Sequence, residues 1–424
     1  MRMKKDRFGT RALGASLLVS LSALALAAPG EWPQFRGPNN NDISSETGLL
    51  QDWPAGGPPL VWKATGLGAG FSSVAVVGGR IYSAGDKDDA SFVVALNAAS
   101  GRLVWSAKLG KAGPGGGDGE PKFNGPRATP TIDDGRLYAV SQYGEMVCLA
   151  TADGKELWRK DYLKDFGGTC PRWAYAESVL LDGDRVVVTP GGTDGSMVAL
   201  NKQTGALLWR SKGFTDRPEY STPAIAEIGG VRQYVQLTGQ SVAGIAAPDG
   251  KLLWRAPRRG NIAIIPSPVC RDGLVYVSSS YGTGCNLFKI TAADGQFSAE
   301  QVYANKVMAN HHGGVIRVGN CLYGYSEGKG WTCQDFETGE AKWQDKKFPK
   351  GSLVYADGRL YLRQEDNQGT LALIEASPEG YREHGRFNQP SRSSERSWPH
   401  PVIAGSKLYL RDQDLLLCYD VKAK

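Results

Sequence analysis

Eight residues with side chains suited to ligand binding stand in short segments that each precede a predicted β-hairpin. They include three of the four histidines of the chain and are Arg127, Trp173, Glu177, Tyr220, His311, His312, Trp398 and His400. An arginine forms bidentate, charge-assisted hydrogen bonds with anions, and aromatic rings stack on flat ligands. Brought together, these residues suit an anionic or planar aromatic ligand. The alternative is that they cap the fold by bonding to the backbone of neighbouring loops, and the sequence leaves both open.

The chain lacks the short motifs of the common catalytic sites. It contains no G-x-S-x-G, H-E-x-x-H, P-loop or C-x-x-C-H pattern. The glycine-rich stretch 113–119 has no strand-to-helix context and indicates a flexible loop. We therefore assign no catalytic residue from the sequence.

Cysteine spacing argues against a structural metal site. The chain has seven cysteines, so at least one is unpaired, and none forms a C-x-x-C pair. Cys321 and Cys333 flank one predicted hairpin turn and face each other in one register, whereas a shifted register separates them. The other strand cysteines suit small buried apolar positions. We expect no metal-binding residues.

An internal repeat supplies the elements that must position the candidate site. Seven times an apolar run leads into a turn and a glycine, and successive glycines lie 41 to 53 residues apart. In five copies the fourth residue after the glycine is tryptophan: Trp105, Trp158, Trp209, Trp254 and Trp343. A glycine at this place in a turn, such as Gly205, suits a positive φ. The period is typical of solenoids, arrays and β-propellers.

Each repeat also contains a short hairpin rich in Val, Ile and Tyr, so that one unit supplies about four strands, as in a propeller blade. Eight hairpins are present against seven glycine motifs, and the last hairpin lacks its outer strand. Residues 59–64, around Trp62, have a tryptophan strand with no hairpin before it. The sequence therefore predicts an all-β, eight-bladed propeller of four-stranded antiparallel blades, in which the N-terminal strand completes the C-terminal blade and leaves no open sheet edge.

The repeat at residues 199–209, Ala-Leu-Asn-Lys-Gln-Thr-Gly-Ala-Leu-Leu-Trp, resembles that of pyrroloquinoline quinone (PQQ) type propellers. This family includes quinoprotein alcohol dehydrogenases and assembly factor B of the outer-membrane β-barrel machinery. The resemblance extends over residues 58–424. Residues 32–38 and 311–333 are similar to segments of exported PQQ-like repeat proteins. The resemblance implies that six tryptophans dock on neighbouring blades: Trp62, Trp105, Trp158, Trp209, Trp254 and Trp343.

The N-terminus has the pattern of a cleavable signal peptide. A basic segment precedes an apolar run over residues 12–26 and an Ala-Leu-Ala site at residues 25–27. We expect a signal peptide at 1–27, an N-terminal arm at 28–57 and the propeller at 58–424. No lipobox cysteine follows, and no later stretch is long enough to span a membrane. These features predict a periplasmic or secreted protein.

The basic charge of the chain is concentrated in the predicted signal peptide. The formal charge is +6, and five basic residues and Asp6 lie in residues 1–27, so 6 minus 4 leaves +2. No basic stripe indicates nucleic-acid binding. We expect an envelope protein or a small molecule as the partner.

The resemblance leaves two functions open. A quinoprotein dehydrogenase of this family holds PQQ with calcium and has an adjacent cysteine pair. The chain has no Cys-Cys, and only Glu177 among the candidate residues is acidic, whereas calcium requires several oxygen ligands. The leading hypothesis is a non-catalytic binding or interaction scaffold without a cofactor, with long loops at 111–126, 165–175 and 388–398 available for contacts. A PQQ-dependent alcohol or sugar dehydrogenase is the alternative.

Overall fold

The computed structural model describes residues 30–115, 124–366 and 368–424, which form eight four-stranded antiparallel sheets. Blades 1 to 4 consist of β2 (Ala75–Val77), β3 (Arg80–Lys87), β4 (Ala90–Asn97), β5 (Leu103–Lys111); β6 (Thr131–Asp133), β7 (Arg136–Val140), β8 (Glu145–Ala150), β9 (Glu156–Asp161); β10 (Leu180–Asp182), β11 (Arg185–Val188), β12 (Val198–Asn201), β13 (Leu207–Arg210); and β14 (Ala224–Ile228), β15 (Val231–Leu237), β16 (Ser241–Ala246), β17 (Leu252–Pro257).

Blades 5 to 8 continue in the same order. They consist of β18 (Val269–Arg271), β19 (Leu274–Ser279), β20 (Gly284–Ala293), β21 (Gln296–Asn305); β22 (Ile316–Val318), β23 (Cys321–Ser326), β24 (Gly330–Asp335), β25 (Ala341–Asp345); β26 (Gly351–Ala356), β27 (Arg359–Gln364), β28 (Leu371–Glu375), β29 (Glu383–Phe387); and β30 (Val402–Ala404), β31 (Lys407–Asp412), β32 (Leu415–Asp420), β1 (Leu60–Ala64). A single short helix, α1 (Tyr162–Phe166), follows blade 2 in the described residues.

The predicted ring closure is confirmed. Strand β1 is the outer strand of blade 8 and pairs antiparallel with β32, with Trp62 opposite Cys418 and Ala64 opposite Leu416. The first strand of the propeller therefore completes its last blade, and the fold is the predicted eight-bladed, all-β propeller.

The docking tryptophans join each blade to the next by a repeated hydrogen bond. Five of the six indole N–H groups donate to a backbone carbonyl three residues before the glycine of the following blade, at 2.8 to 3.1 Å. The pairs are Trp62 with Ala98, Trp105 with Thr151, Trp158 with Lys202, Trp209 with Ala247, and Trp343 with Ser377. Trp254 differs, because its indole donates to the Gln233 side chain of its own blade at 2.5 Å.

The repeat glycines lie against these tryptophans. Gly205 has φ +70°, and a Cβ atom there would lie 2.9 Å from the Trp158 ring of the preceding blade. The turn thus requires both a left-handed backbone and the absence of a side chain. The predicted positive φ of Gly205 is confirmed.

The seven cysteines all lie within the described residues and are free thiols. Cys321 is opposite Asp335, and Cys333 is opposite Tyr323, so the two cysteines are offset by two residues on adjacent strands. The two cysteines are therefore diagonal neighbours, and burial together with the nearby Cys321 raises the pKa of the Cys333 thiol.

The segment before β1 lies against the ring rather than extending from it. Trp32 pairs with Val76 of blade 1, Ser44 donates to Tyr355 of blade 7, and Leu50 donates to Val421 beyond blade 8. The predicted signal peptide, residues 1–27, lies outside the described residues. Within the described ranges, no helix has the length and apolar character of a membrane span.

The repeat glycine is needed both for its left-handed backbone and for its lack of a side chain. Substituting two glycines with nearly equal φ separates these two requirements. Gly205 has φ +70° beside Trp158, whereas Gly135, in the β6–β7 turn, has φ +71° and no atom within 4 Å of the place a Cβ would occupy. We expect Gly135→Ala to lower the free energy of unfolding by roughly 1 to 2 kcal/mol, the usual cost of a left-handed residue with a Cβ. Gly205→Ala should cost more, because the Trp158 ring must also move. Equal losses in urea denaturation would contradict the docking contact.

Candidate functional site

The segments that lead into the innermost strands meet at one mouth of the ring, where they enclose a cavity of ≈ 530 Å³, here called the channel-mouth cavity. Each blade contributes at least one lining residue. In blade order these include Phe71, Arg127, Trp173, Tyr220, Ile265, His311, Lys350 and Trp398. The cavity is therefore a product of the repeat, since equivalent segments of eight blades converge on it.

Seven of the eight residues predicted from the sequence line this cavity. They are Arg127, Trp173, Tyr220, His311, His312, Trp398 and His400. Although they span more than half of the chain, the ring brings them together. Ligand binding by these residues stays a prediction.

Glu177 is the exception, because it lies behind the wall of the cavity. Its neighbours Ala176 and Ser178 line the cavity, and in extended backbone alternate residues point to opposite sides. The buried carboxylate accepts the Thr189 backbone N–H at 3.1 Å. Burial raises the pKa of Glu177 to about 8, against the opposing effect of the Thr189 hydrogen bonds. The Glu177 carboxyl is therefore protonated at neutral pH and lies behind the wall of the cavity.

Glu365, which the sequence analysis did not single out, is the main acceptor of the site. One carboxylate oxygen accepts the Trp398 indole N–H at 3.1 Å and contacts His312 Nε2. The other lies 3.2 Å from Arg396 and 3.6 Å from Lys350 Nζ. Burial alone would raise the pKa of Glu365, but His312, Lys350 and Arg396 together lower it to about 2. The carboxylate is therefore ionised and saturated with donors.

Both histidines of the 311–312 pair are neutral. Burial, reinforced by His312 and Lys350, lowers the pKa of His311 to about 3. Lys350 Nζ accordingly donates to His311 Nδ1 at 2.9 Å, and His311 Nε2 lies 3.3 Å from the Tyr281 hydroxyl. Burial also lowers the pKa of His312 and outweighs the opposing effect of Glu365.

The tautomer of His312 follows from these states. Because Glu365 is ionised, His312 Nε2 carries the proton and donates to it, so Nδ1 has a lone pair. Among the described residues Nδ1 has no hydrogen-bond partner, although the side chain is buried. An unsatisfied buried acceptor at the wall of a cavity is a feature often associated with a functional site.

Aromatic rings form much of the remaining wall. Trp398 packs against Phe71 with ring centroids 4.8 Å apart, and against His312 at 5.7 Å. On another side, Trp173 lies 6.1 Å from Tyr220, whose hydroxyl accepts the Trp173 backbone N–H. The cavity thus offers flat apolar faces for a ligand.

Two glycines after the histidine pair permit its placement. A Cβ on Gly313 would lie 2.0 Å from the Gly351 carbonyl oxygen, and one on Gly314 would lie 3.0 Å from the His400 ring. Gly314 also has φ +82°. The His-His-Gly-Gly sequence is therefore explained by close packing of the segment that carries both histidines.

Arg127 adds a half-buried cation. Its guanidinium donates to the carbonyls of Gly125 at 2.8 Å and Pro114 at 3.1 Å. Burial lowers the pKa of Arg127 to about 10, so the side chain remains charged at neutral pH. With Lys350 and Arg396, it gives the lining three cations against the single carboxylate of Glu365.

Some of the lining residues that were not predicted stand at positions that the sequence pattern marks in other blades. Lys350 immediately precedes β26 and occupies the lead-in position that pointed to the predicted residues in other blades. Arg396 lies in the predicted long loop 388–398. Glu365 follows β27, and Phe35 belongs to the N-terminal arm, so neither position is marked by the repeat.

The donor set does not fit a calcium ion of the quinoprotein kind. Calcium takes six to eight oxygen ligands, several of them carboxylates. Glu365 is the acidic residue of the lining, and its oxygens are occupied by four donors. Across the described ranges, no group of three or more His, Cys, Asp and Glu side chains is arranged to hold a metal. We therefore derive no redox step from this site.

Comparison with known families agrees with the architecture. The sequence model of the family described as "Outer membrane protein assembly factor BamB" matches residues 53–127 and 89–345. The chain belongs to this family. The match covers the outer strand of blade 8 and the blades up to β25, and therefore most of the docking repeat of this BamB-type propeller.

Curated relatives of the BamB-type propeller are of two kinds. The chain is 26% identical to assembly factor BamB of Xanthomonas campestris pv. campestris over 199 residues. This match covers 46% of this chain and 43% of that protein. The chain is 30% identical to quinohemoprotein alcohol dehydrogenase ADH IIB of Pseudomonas putida over 141 residues. This match covers 31% of this chain and 20% of that enzyme. The matches thus span less than half of either relative.

Solved structures show the same two groups. The BamB-type propeller resembles BamB from Moraxella catarrhalis with a TM-score of 0.60 and 16% identity, over 86% of this chain and 98% of that one. It resembles the quinohemoprotein alcohol dehydrogenase of Comamonas testosteroni with a TM-score of 0.67 and 11% identity, over 94% and 82%. At these identities the likeness shows the fold alone.

The raised pKa of Glu177 predicts a pH-dependent stability. In the unfolded chain the carboxyl ionises near 4.5, whereas in the fold it keeps its proton up to about 8. Its contribution is therefore fully present below pH 4.5 and is lost as the pH rises through 8, with a slope of at most about 1.4 kcal/mol per pH unit. We expect Glu177→Gln to remove this slope, measured by urea unfolding between pH 5 and 9.

Glu219 provides the control for this prediction, because burial raises its pKa to about 7 as well. Glu219→Gln should remove only its own part of the pH dependence and leave the loss between pH 7 and 8 in place. Parallel pH profiles for wild type and Glu177→Gln would show that the carboxyl is ionised in the fold.

Proposed function

We propose that this BamB-type propeller is a non-catalytic binding protein of the bacterial cell envelope. Its ligand, free or carried by a protein partner, presents an anionic, flat aromatic group to the channel-mouth cavity. The observation that carries the proposal is the lining itself, which combines aromatic walls and three cations with one carboxylate that is already saturated with donors.

The electrostatics of the lining favour an anion. Burial is the main cause of the lowered pKa values of His311 and His312, and the positive charge of Lys350 lowers both values further. A ligand carboxylate or sulfonate would gain charge-assisted hydrogen bonds from Arg127 or Lys350. Lys350 also pairs with Glu327 at 2.6 Å and Arg396 with Asp366 at 3.0 Å, so Arg127 is the lining cation on which the preference for an anion depends most.

The family supports an envelope role for the scaffold. Two relatives named as outer membrane protein assembly factors are matched over 43% and 44% of their own length. A rigid ring with long loops is suited to holding protein partners, because loops on a fixed scaffold present side chains at defined positions. Export through the predicted signal peptide is part of the proposal.

Arg127 gives the test of ligand charge. We expect 1-naphthoate to bind more tightly than its neutral amide, naphthalene-1-carboxamide, in isothermal titration calorimetry. Arg127→Met should weaken 1-naphthoate about tenfold or more, since a hydrogen bond to a charged group contributes roughly 1.5 to 3 kcal/mol. Binding of the amide should change little.

Arg159 is the matched control, because it also donates to two backbone carbonyls, those of Leu109 and Lys108, but lies outside the cavity. Arg159→Met should leave both affinities unchanged. Equal binding of 1-naphthoate by wild type and Arg127→Met would move the site away from the channel mouth, to the long loops or the outer rim.

The second candidate is a PQQ-dependent dehydrogenase, favoured by the alcohol dehydrogenases among the relatives. After loading with PQQ and calcium, we expect no dye-linked oxidation of ethanol, because the lining lacks calcium ligands and the sequence lacks adjacent cysteines. Calcium-dependent alcohol oxidation that is lost in Glu365→Gln would refute the non-catalytic proposal.

A further inference from the structure

The N-terminal arm crosses the central channel beneath the cavity. Its residues 32–42 bond to blades on opposite sides of the ring. The contacts are Trp32 with Val76 of blade 1, Pro33 with Ile132 of blade 2, Asn40 with Pro223 before blade 4, Arg36 with Val315 before blade 6, and Asp42 with Tyr355 of blade 7. A segment that touches blades 2 and 4 as well as blades 6 and 7 passes across the axis of the ring.

Phe35, in the middle of this segment, lines the channel-mouth cavity. Its ring lies 5.3 Å from that of His400, and the side chain is half-buried, as expected for a residue that faces a cavity. The arm therefore supplies part of the cavity surface, which the eight blades alone would leave open towards the channel.

The loop that carries Phe35 is held at a fixed position. Asp42 is fully buried, accepts Arg36 Nε at 2.5 Å and lies 3.1 Å from His400 Nδ1, while His400 Nε2 donates to the His312 carbonyl. Burial would raise the pKa of Asp42, but Arg36 and His400 outweigh it and lower the pKa. The Arg36 carbonyl also accepts the backbone N–H groups of Asn41 and Asp42.

We propose that the arm is the floor of the binding site and that Phe35 determines how long an aromatic ligand the cavity accepts. This proposal rests on the proposed function, since it concerns the depth of the same cavity. The site is then a closed pocket entered from one face of the ring, and its selectivity depends on a segment outside the repeat.

Variants of Phe35 in the full chain test ligand depth. The probes are 1-naphthoate and the longer biphenyl-4-carboxylate, titrated by calorimetry. Phe35→Ala should shift the ratio of the two dissociation constants at least tenfold in favour of biphenyl-4-carboxylate, because it deepens the cavity. Phe35→Trp should weaken both probes, because it fills the cavity. Unchanged affinities in both variants would overturn the proposal.

Ile43 offers a control in the same arm. It is half-buried, packs against the core between blades 6 and 7, and does not line the cavity. Ile43→Ala should lower the melting temperature and leave the ratio of the two probes within twofold. A ratio shift equal to that of Phe35→Ala would mean that loosening the arm, and not the size of residue 35, sets the selectivity.

Hydrogen exchange tests the floor without any ligand. The amides of Asn41, Asp42 and Ser44 bond within the arm or to blade 7, so we expect them to exchange as slowly as the amides of β31, a strand that is paired on both sides within its own blade. Fast exchange at all three would overturn the closed floor whatever binds above it. Slow exchange in a protein that binds neither probe would instead refute the proposed ligand class and the role of Phe35 in ligand depth, while leaving the arm as the closure of the channel.

Discussion

The tryptophan contact between successive blades is the interaction on which the rest of the molecule depends. Each indole places a large apolar surface against the next blade, and in five of the six its N–H is satisfied by a carbonyl at a constant position, three residues before a glycine. Where tryptophan is missing in blade 5, the Tyr303 hydroxyl bonds to the Phe336 carbonyl, at the same distance from Gly339. In blade 5 the hydrogen bond to the next blade is thus kept although the residue type changes, whereas the Trp254 indole of blade 4 bonds within its own blade.

That regular spacing is what turns distant residues into one site. Because every blade is fixed against its neighbour, the segments that lead into the inner strands arrive at one mouth of the channel in blade order. The ring is closed, since β1 completes blade 8. A rigid frame of this kind can hold buried charges such as Glu365 with their donors at defined distances, while burial keeps the two histidines beside it neutral.

The sequence predicted the frame far better than the chemistry of the cavity. The glycine and tryptophan spacing was sufficient for the blade count, the ring closure and the positive φ of Gly205, because each depends on local and repeated constraints. The expectation that binding residues stand in the segments before the innermost strands also located seven residues of the cavity lining. It failed to show that Glu177 faces away, since one residue of register decides which side an extended segment presents. Glu365 and Phe35 were not predicted, because their positions depend on packing between segments that are remote in sequence.

The division between frame and arm has a consequence for how such a protein acquires specificity. Residues in the blades are constrained by docking contacts, so changes there disturb the ring as well as the site. The arm is anchored by backbone pairing and by the buried Arg36, Asp42 and His400 group, but it has no part in the tryptophan contacts. Residue 35 can therefore change in size with little effect on the frame. The proposed determinant of ligand size is thereby placed on a segment that takes no part in the tryptophan contacts between blades.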